Sequence, residues 1–317
     1  MYYLGVDLGG TNIAIGLVDK NFNIVAKGKV PTKAERPTGE IIDDMATLCA
    51  SVVEKANISF DEVESVGIAT PGSINPNTGV VLFANNIYMK HYPIADELKK
   101  RIPVKKVYLE NDANAAALAE AKAGAGAGCN SLVMVTLGTG VGGGVVIDGK
   151  LYSGFNYSGA ELGHTVIEVG GRPCTCGRKG CFEAYSSATG LIKMTKEKLL
   201  ETKDTIMWKM VNDDINKVSG RTAFDASKKG DKAGQEVVDM YIEYLGCGLT
   251  NMVNIFQPEV LCIGGGVCGE GDYLLKPLIK IIERDQYGFD VQEKPCKIKI
   301  AKLGNDAGIL GAALLGM

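Results

Sequence analysis

No stretch of this 317-residue chain reaches the roughly 18 apolar residues that a membrane-spanning helix needs. The first residues, MYYLGVDLGG, lack a basic segment and meet Asp7 early, so no secretory leader is read and a cytoplasmic protein is expected. Blocks of like charge are missing too: 34 Lys+Arg stand against 37 Asp+Glu, for a formal net charge of −3. Affinity for a phosphate backbone comes mainly from clustered Lys and Arg, so no nucleic-acid partner is expected, and no membrane. Pro-rich and Ser-rich linkers are absent, which leaves internal repetition to mark any domain boundary. Nine cysteines, an odd number in a chain without a leader, argue against a disulfide framework. What is there is 46% hydrophobic sequence of ordinary polarity, long enough for two domains, with small-molecule chemistry as the default.

The chain repeats itself. DLGGTNIAIGLVD at 7–19 and TLGTGVGGGVVID at 136–148 share leucine, first glycine and closing aspartate at an offset of 129. Each copy follows an apolar run, YYLGV or SLVMV, that reads as a buried strand, and each continues into strand-like sequence in which Ile13, Ile15 and Leu17 alternate with smaller residues. The glycines therefore form the turn of a β-hairpin in both halves. Ile41, Ile42, Met45, Leu48, Cys49, Val52 and Val53 recur at helical spacing, while ESVGIAT and VKKVYLEN read as strands. A helix should begin at DANAAALAEAKAG, with Asn111 or Asp112 at its cap. A long helix marked by Ala233, Val237, Tyr241, Leu245, Leu249 and Val253 leads to the strand PEVLCIGGGV. The expectation is two α/β domains with a central cleft: a small domain over 1–115, to which a C-terminal helix at 305–317 returns, and a large one over 116–304.

Three glycine segments, DLGGTN, LGTGVGGG and IGGGV, expose backbone amides with no Cβ in the way, which suits phosphate contact; the alternative is tight hairpin packing. Gly138, Gly140 and Gly143 spell the dinucleotide fingerprint, but that motif must be followed by a helix, and GGGVVIDGK is β-branched sequence ending in an Asp148-Gly149 turn. No Gly-Lys-Ser/Thr loop occurs there either. An aspartate inside an apolar first strand, Asp7, is costly to bury without a partner and favours a ligand role over a strand-edge polar residue. Asp112 lies where a strand runs into a helix, and the residues alone leave it open between a catalytic base and an N-cap.

CTCGRKGCFE at 174–183 concentrates three cysteines, and His164 is one of only two histidines. His164, Cys174, Cys176 and Cys181 make a Cys3His inventory for a structural zinc, against free thiols as the alternative. The other six cysteines, Cys49, Cys129, Cys247, Cys262, Cys268 and Cys296, read as core fillers.

Duplicated strand, glycine hairpin and strand units resemble the actin-like ATPase fold of sugar kinases. DLGGTN, ENDANAAALAE, LGTGVGGG, ELGH, CTCGRKGCFE and PEVLCIGGGV together resemble the ROK family of sugar kinases and repressors over essentially the whole chain, the glucokinase branch above all. The repressors carry an N-terminal DNA-binding module, which is not expected here because the sequence starts at the first kinase strand. The resemblance implies ATP-dependent phosphorylation of a hexose, glucose first, with Asp112 as base and a homodimer as the assembly. It implies that Asp7 helps hold Mg2+ with ATP, that Gly9, Gly10, Thr11 and Asn12 and then Gly138, Thr139 and Gly140 approach the phosphates, and that Gly264, Gly265 and Gly266 flank the adenosine. For the sugar it implies Asn86, Asn111, Asp112, Glu161, His164 and Glu183, with Asn85 beside Asn86 leaving that register open; it also implies the zinc. Fructose, mannose, allose or an N-acetylhexosamine remain alternative substrates, and a non-catalytic sugar-sensing module is the alternative function.

Overall fold

All 317 residues are described in a computed structural model, a mixed α/β structure built on two five-stranded sheets. The first sheet begins with β1 (Tyr2–Leu8), β2 (Asn12–Asp19) and β3 (Ile24–Pro31), an antiparallel meander. After α1 (Thr38–Lys55), β4 (Val63–Thr70) pairs parallel with β1. A small antiparallel sheet of β5 (Ser73–Asn75), β6 (Val80–Ala84) and β7 (Met89–Tyr92) precedes α2 (Ile94–Lys99). The strand β8 (Val107–Asn111) then adds parallel to β4 and runs directly into α3 (Asp112–Ala123), giving the order β3-β2-β1-β4-β8.

The period-2 pattern decides which face is buried against what. Leu4, Val6, Leu8, Ile13, Ile15 and Leu17 are wholly buried with Ile41, Ile42, Met45 and Val52 of α1. On the opposite face Tyr3 and Val18 meet Leu118 of α3 and Leu310 of the C-terminal helix Ala307–Leu314. Gly16, Gly5 and Gly67 stand in register across β2, β1 and β4. A Cβ on Gly5 would lie 1.8 Å from the Ile309 carbonyl oxygen, and one on Gly67 1.8 Å from that of Ala312, so this glycine stripe seats the last helix backbone to backbone.

The second sheet repeats the plan with β9 (Leu132–Leu137), β10 (Val141–Ile147), β11 (Lys150–Leu151), β12 (Val260–Gly264) and β13 (Lys297–Ile300), ordered β11-β10-β9-β12-β13. As β1 pairs parallel with β4, so β9 pairs parallel with β12, the duplicated actin-like ATPase arrangement expected from the repeated glycine turns. Positive φ at Asp148 and Gly149, between the paired Ile147 and Lys150, makes the predicted two-residue turn. Between the strands lie α4 (Phe182–Ser186), α5 (Ala188–Glu201), α6 (Met207–Met210), α7 (Thr222–Ser227), α8 (Lys232–Phe256) and α9 (Asp272–Asp285), and Ala307–Leu314 is α10. Small residues on α8 again set the approach: a Cβ on Gly248 would lie 2.2 Å from the Phe182 ring and one on Gly246 2.5 Å from Ile281.

The chain forms two compact units, residues 1–131, 144–160 and 302–317 in the first and 132–143 and 161–301 in the second. The first thus reaches beyond residue 115, because α3 and α10 share one apolar cluster against the same sheet. No helix is long and apolar enough to cross a membrane. One local expectation is corrected. Cys49, Cys262 and Cys268 are buried fillers, but Cys247 is exposed on the outer face of α8, and Cys129 and Cys296 are half-buried. Asp306 precedes α10 without capping it through its side chain; it pairs instead with Lys27 at 3.0 Å.

Candidate active site

In the first unit the site grows from the ends of β1 and β8. The β1–β2 turn is closed by the Gly9 amide donating to the Asn12 carbonyl at 3.0 Å. A buried threonine holds it from behind: the Thr32 hydroxyl donates to the Gly9 carbonyl at 2.6 Å and the Thr32 amide to the Thr11 carbonyl at 2.9 Å. A Cβ on Gly10 would stand 3.0 Å from the Asn86 carbonyl oxygen and 3.3 Å from the Asn86 Cβ, so the turn lies against Asn86. Asn85 and Asn86 are both exposed on a single 3-10 turn pinned by the buried Ile87.

Asp7 is half-buried near the end of β1, opposite Ala14 and Ala69. Its carboxyl is pushed up to about 6, first by burial, then by the negative charge of Asp112, with Lys29 opposing. A Cβ on Gly308 would lie 2.5 Å from Asp7 Oδ2, so α10 leaves the carboxylate its space through a glycine. Asn111 is the cap of α3: its Oδ1 accepts from the amides of Ala113 at 2.9 Å and Asn114 at 3.3 Å, while its Nδ2 donates to the Gly72 carbonyl at 3.3 Å. Asp112 is the first residue inside the helix and is released from the capping role; burial raises its pKa despite bonds from the Ala113 amide and the Asn111 side chain. The structure therefore places Asp7 in the field of Asp112, whose charge adds to the cost of ionising Asp7, an arrangement that suits a cation.

In the second unit the β9–β10 turn mirrors the first, the Gly138 amide donating to the Gly140 carbonyl at 3.0 Å. Here the start of α5 does the holding: the Ala188 amide donates to the Gly138 carbonyl at 2.9 Å and the Thr189 hydroxyl to the Thr139 carbonyl at 2.8 Å, with Ser187 capping the helix through the Gly190 amide. Gly138 and Thr139 are exposed. Gly264 is buried at the end of β12, and Gly265 and Gly266 are exposed beyond it; at Gly265 the φ of 97° and the Leu137 carbonyl, 2.2 Å from any added Cβ, require glycine.

Beside this turn a ring nitrogen of His164 and the Sγ atoms of Cys174, Cys176 and Cys181 lie within 4.8 Å of one another. Nδ1 of His164 is 3.6 Å from Cys174 Sγ, and Cys176 Sγ is 3.7 Å from Cys181 Sγ. Tetrahedral zinc with bonds of ~2.3 Å to sulfur and ~2.0 Å to nitrogen spaces its ligand atoms ~3.5–3.8 Å apart, which these distances match. Burial pushes the Cys181 thiol up to about 12, so a cation is what would make it a thiolate. The loop closes through backbone bonds from Gly177 to Cys174 and from Cys174 to Arg178, and Gly180, with φ of 78°, passes where a Cβ would meet the Glu168 carbonyl at 1.7 Å.

Glu161 is exposed at the start of the single turn Leu162–His164, whereas Glu183 is half-buried in the first turn of α4. Glu183 Oε2 accepts from the Val141 amide at 3.0 Å and Oε1 from the Thr175 hydroxyl at 3.1 Å. Sequence reasoning missed Thr32, Thr175, Ser187 and Thr189, the hydroxyls that fix these turns, and also Glu110. That buried residue accepts from the Asn111 amide at 2.8 Å and Asn114 Nδ2 at 3.0 Å and so braces the start of α3. A carboxylate in the last buried pair of β8 was the available signal for Glu110.

Residues 3–317 match the model of the ROK family. A glucokinase of Thermotoga maritima is 38% identical over 312 residues, 98% of this chain and 95% of the relative. An N-acetyl-D-glucosamine kinase of Aliivibrio fischeri is 32% identical over 327 residues, 100% of this chain and 99% of the relative. Among solved structures, a ROK family glucokinase from Streptomyces griseus in complex with glucose and AMPPNP superposes with a TM-score of 0.81 at 33% identity, covering 99% of both chains. With its two glycine turns, its Cys3His loop and its carboxylate at the head of α3 all in place, the chain belongs to the ROK family.

Proposed function

We propose that this protein is an ATP-dependent hexose kinase that phosphorylates the 6-hydroxyl of glucose. The observation that carries the reading is at α3, where Asn111 takes the capping role and leaves Asp112, its pKa raised by burial, as a carboxylate with proton affinity to spare. Such a group accepts the sugar hydroxyl proton as the hydroxyl attacks the terminal phosphoryl group, a contribution of ~10²- to 10⁴-fold. Asn86, Asn111 and Asp112 of the first unit and Glu161, His164 and Glu183 of the second are the assigned sugar contacts. Asn86 is preferred to Asn85 because it is the one lying on Gly10. Carboxylates accept charge-assisted bonds from sugar hydroxyls.

Gly9, Gly10, Thr11 and Asn12, with Gly138, Thr139 and Gly140, offer amides to the phosphates, and Gly264, Gly265 and Gly266 flank the adenosine. Asp7, with no hydrogen-bonded partner to offset its burial, would hold Mg2+ accompanying ATP; that ion supplies charge neutralisation on the phosphates. His164, Cys174, Cys176 and Cys181 would hold a structural zinc that leaves no open coordination position and fixes the loop ahead of Glu183. Nδ1 as the ligand leaves Nε2 of His164 for the hexose. A homodimer in the cytoplasm completes the reading.

The N-acetylglucosamine kinase relative supports a second reading, an N-acetylhexosamine as substrate of the same site. A coupled ADP assay over glucose, mannose, fructose, allose, N-acetylglucosamine and N-acetylmannosamine separates them. Glucose should give the highest kcat/KM; a higher value for another sugar would reassign the substrate, and sugar binding without ADP release would leave a sensor.

A further inference from the structure

Glu183 stands where two pieces of the second unit meet. Its backbone is fixed from behind: Phe182 is wholly buried against Gly248 of α8, and the buried Tyr241 hydroxyl donates to the Ser186 carbonyl at 2.8 Å at the end of the same short helix. Its carboxylate points forward onto the glycine turn. Oε2 takes the Val141 amide at 3.0 Å, and it can do so only because residue 140 is glycine, where a Cβ would lie 2.3 Å from that oxygen. Oε1 has two neighbours, the Thr175 hydroxyl at 3.1 Å and Cys174 Sγ at 3.7 Å. The Thr175 hydroxyl is the closer of the two side-chain donors. One carboxylate thus bridges the loop carrying the cysteines and the turn carrying Gly138 to Gly140.

We propose that Glu183 couples hexose binding to the glycine turn at 138–140, and that Thr175 is the positioning residue that holds it in the bridging rotamer. The proposal rests on the kinase reading, in which Glu183 contacts the sugar and the turn contacts the phosphates. A hexose hydroxyl donating to Glu183 fixes that side chain, and through the Val141 amide it fixes the turn. ATP then meets a turn already ordered. Coupling between two sites is reciprocal, and values of ~5- to 150-fold are usual. In the absence of sugar, nucleotide is held less well and water is a poorer competitor for the phosphoryl group. Thr175→Val keeps the β-branched shape and deletes only the hydroxyl; Thr175→Ser keeps the hydroxyl.

The test is the affinity for Mg2+–AMPPNP, by calorimetry, with and without saturating glucose, on full-length wild type and both variants, with zinc content measured on each. The proposal expects wild type to bind AMPPNP at least ~5-fold more tightly with glucose present. In Thr175→Val that ratio should fall toward one while affinity without glucose and zinc content stay at the wild-type level, and Thr175→Ser should restore it. An unchanged ratio in Thr175→Val would overturn it, as would loss of zinc or of glucose-free AMPPNP binding in that variant. A wild type that binds both ligands without reciprocity overturns the proposal alone, whereas one that binds neither overturns the kinase reading beneath it.

Discussion

Replacing Asp7 by asparagine should make the ligand-free protein more stable, and only above a definite pH. The carboxyl rises from 3.8 to about 6 on folding, first through burial and then through Asp112. The folded state therefore binds this proton more tightly than the unfolded chain. Its stabilising contribution is complete below the unfolded value near 3.8, fades between there and about 6, and is gone above it, where the wild type must hold a charge in an unfavourable place. At ~1.4 kcal/mol for each tenfold, the rise corresponds to a penalty of about 3 kcal/mol at pH 8. Asparagine has the same shape and no charge, so Asp7→Asn removes most of that penalty. A gain of ~2 kcal/mol in a unit of this size raises Tm by ~4–8 °C. The assay is thermal unfolding of both proteins at pH 4, 6 and 8, without nucleotide or Mg2+. The Tm difference should be near zero at pH 4 and largest at pH 8, and Mg2+–ATP should shrink it, because the wild type alone can use the cation. A variant less stable than wild type at pH 8, or a gain independent of pH, would refute the reasoning.

Elemental analysis should find about one zinc per chain, and its removal by a chelator should lower Tm and raise KM for glucose by loosening Glu183; full activity with no zinc would remove the metal from the account. Asp112→Asn should lower kcat by ~10²- to 10⁴-fold with KM for glucose within a few-fold of wild type, as steady-state kinetics would register, since the residue acts mainly on the proton in flight.

The parts of this fold that could be read from the sequence are those set by short-range pattern. Period-2 alternation at Ile13, Ile15 and Leu17, helical spacing at Ile41, Met45 and Val52, and the Asp148-Gly149 turn each follow from neighbours a few residues away, and each appears where expected. The proximity of His164, Cys174, Cys176 and Cys181 was legible for the same reason, three of the four lying within eight residues. What could not be read depends on partners distant along the chain. Gly5 and Gly67 are demanded by α10, some 300 and 240 residues later, and nothing beside them says so. Gly140 is demanded by Glu183, and Thr32 serves Gly9 across a β-strand pairing. Cys247 shows the limit of composition: its apolar neighbours are buried, but at ~100° per residue it turns to the outer face of α8, between two glycines that face inward. At the cap of α3 the sequence offered two adjacent candidates, and only the geometry assigns Asn111 to the helix and frees Asp112.

Whether glucose and ATP react on this protein is decided by ADP release measured with and without glucose. The purified wild type should form ADP in a glucose-dependent way, with the 6-phosphate as the sugar product, and ADP should stay close to background when glucose is withheld. ADP formation at the same rate without any sugar, or none with glucose present, would contradict the kinase reading.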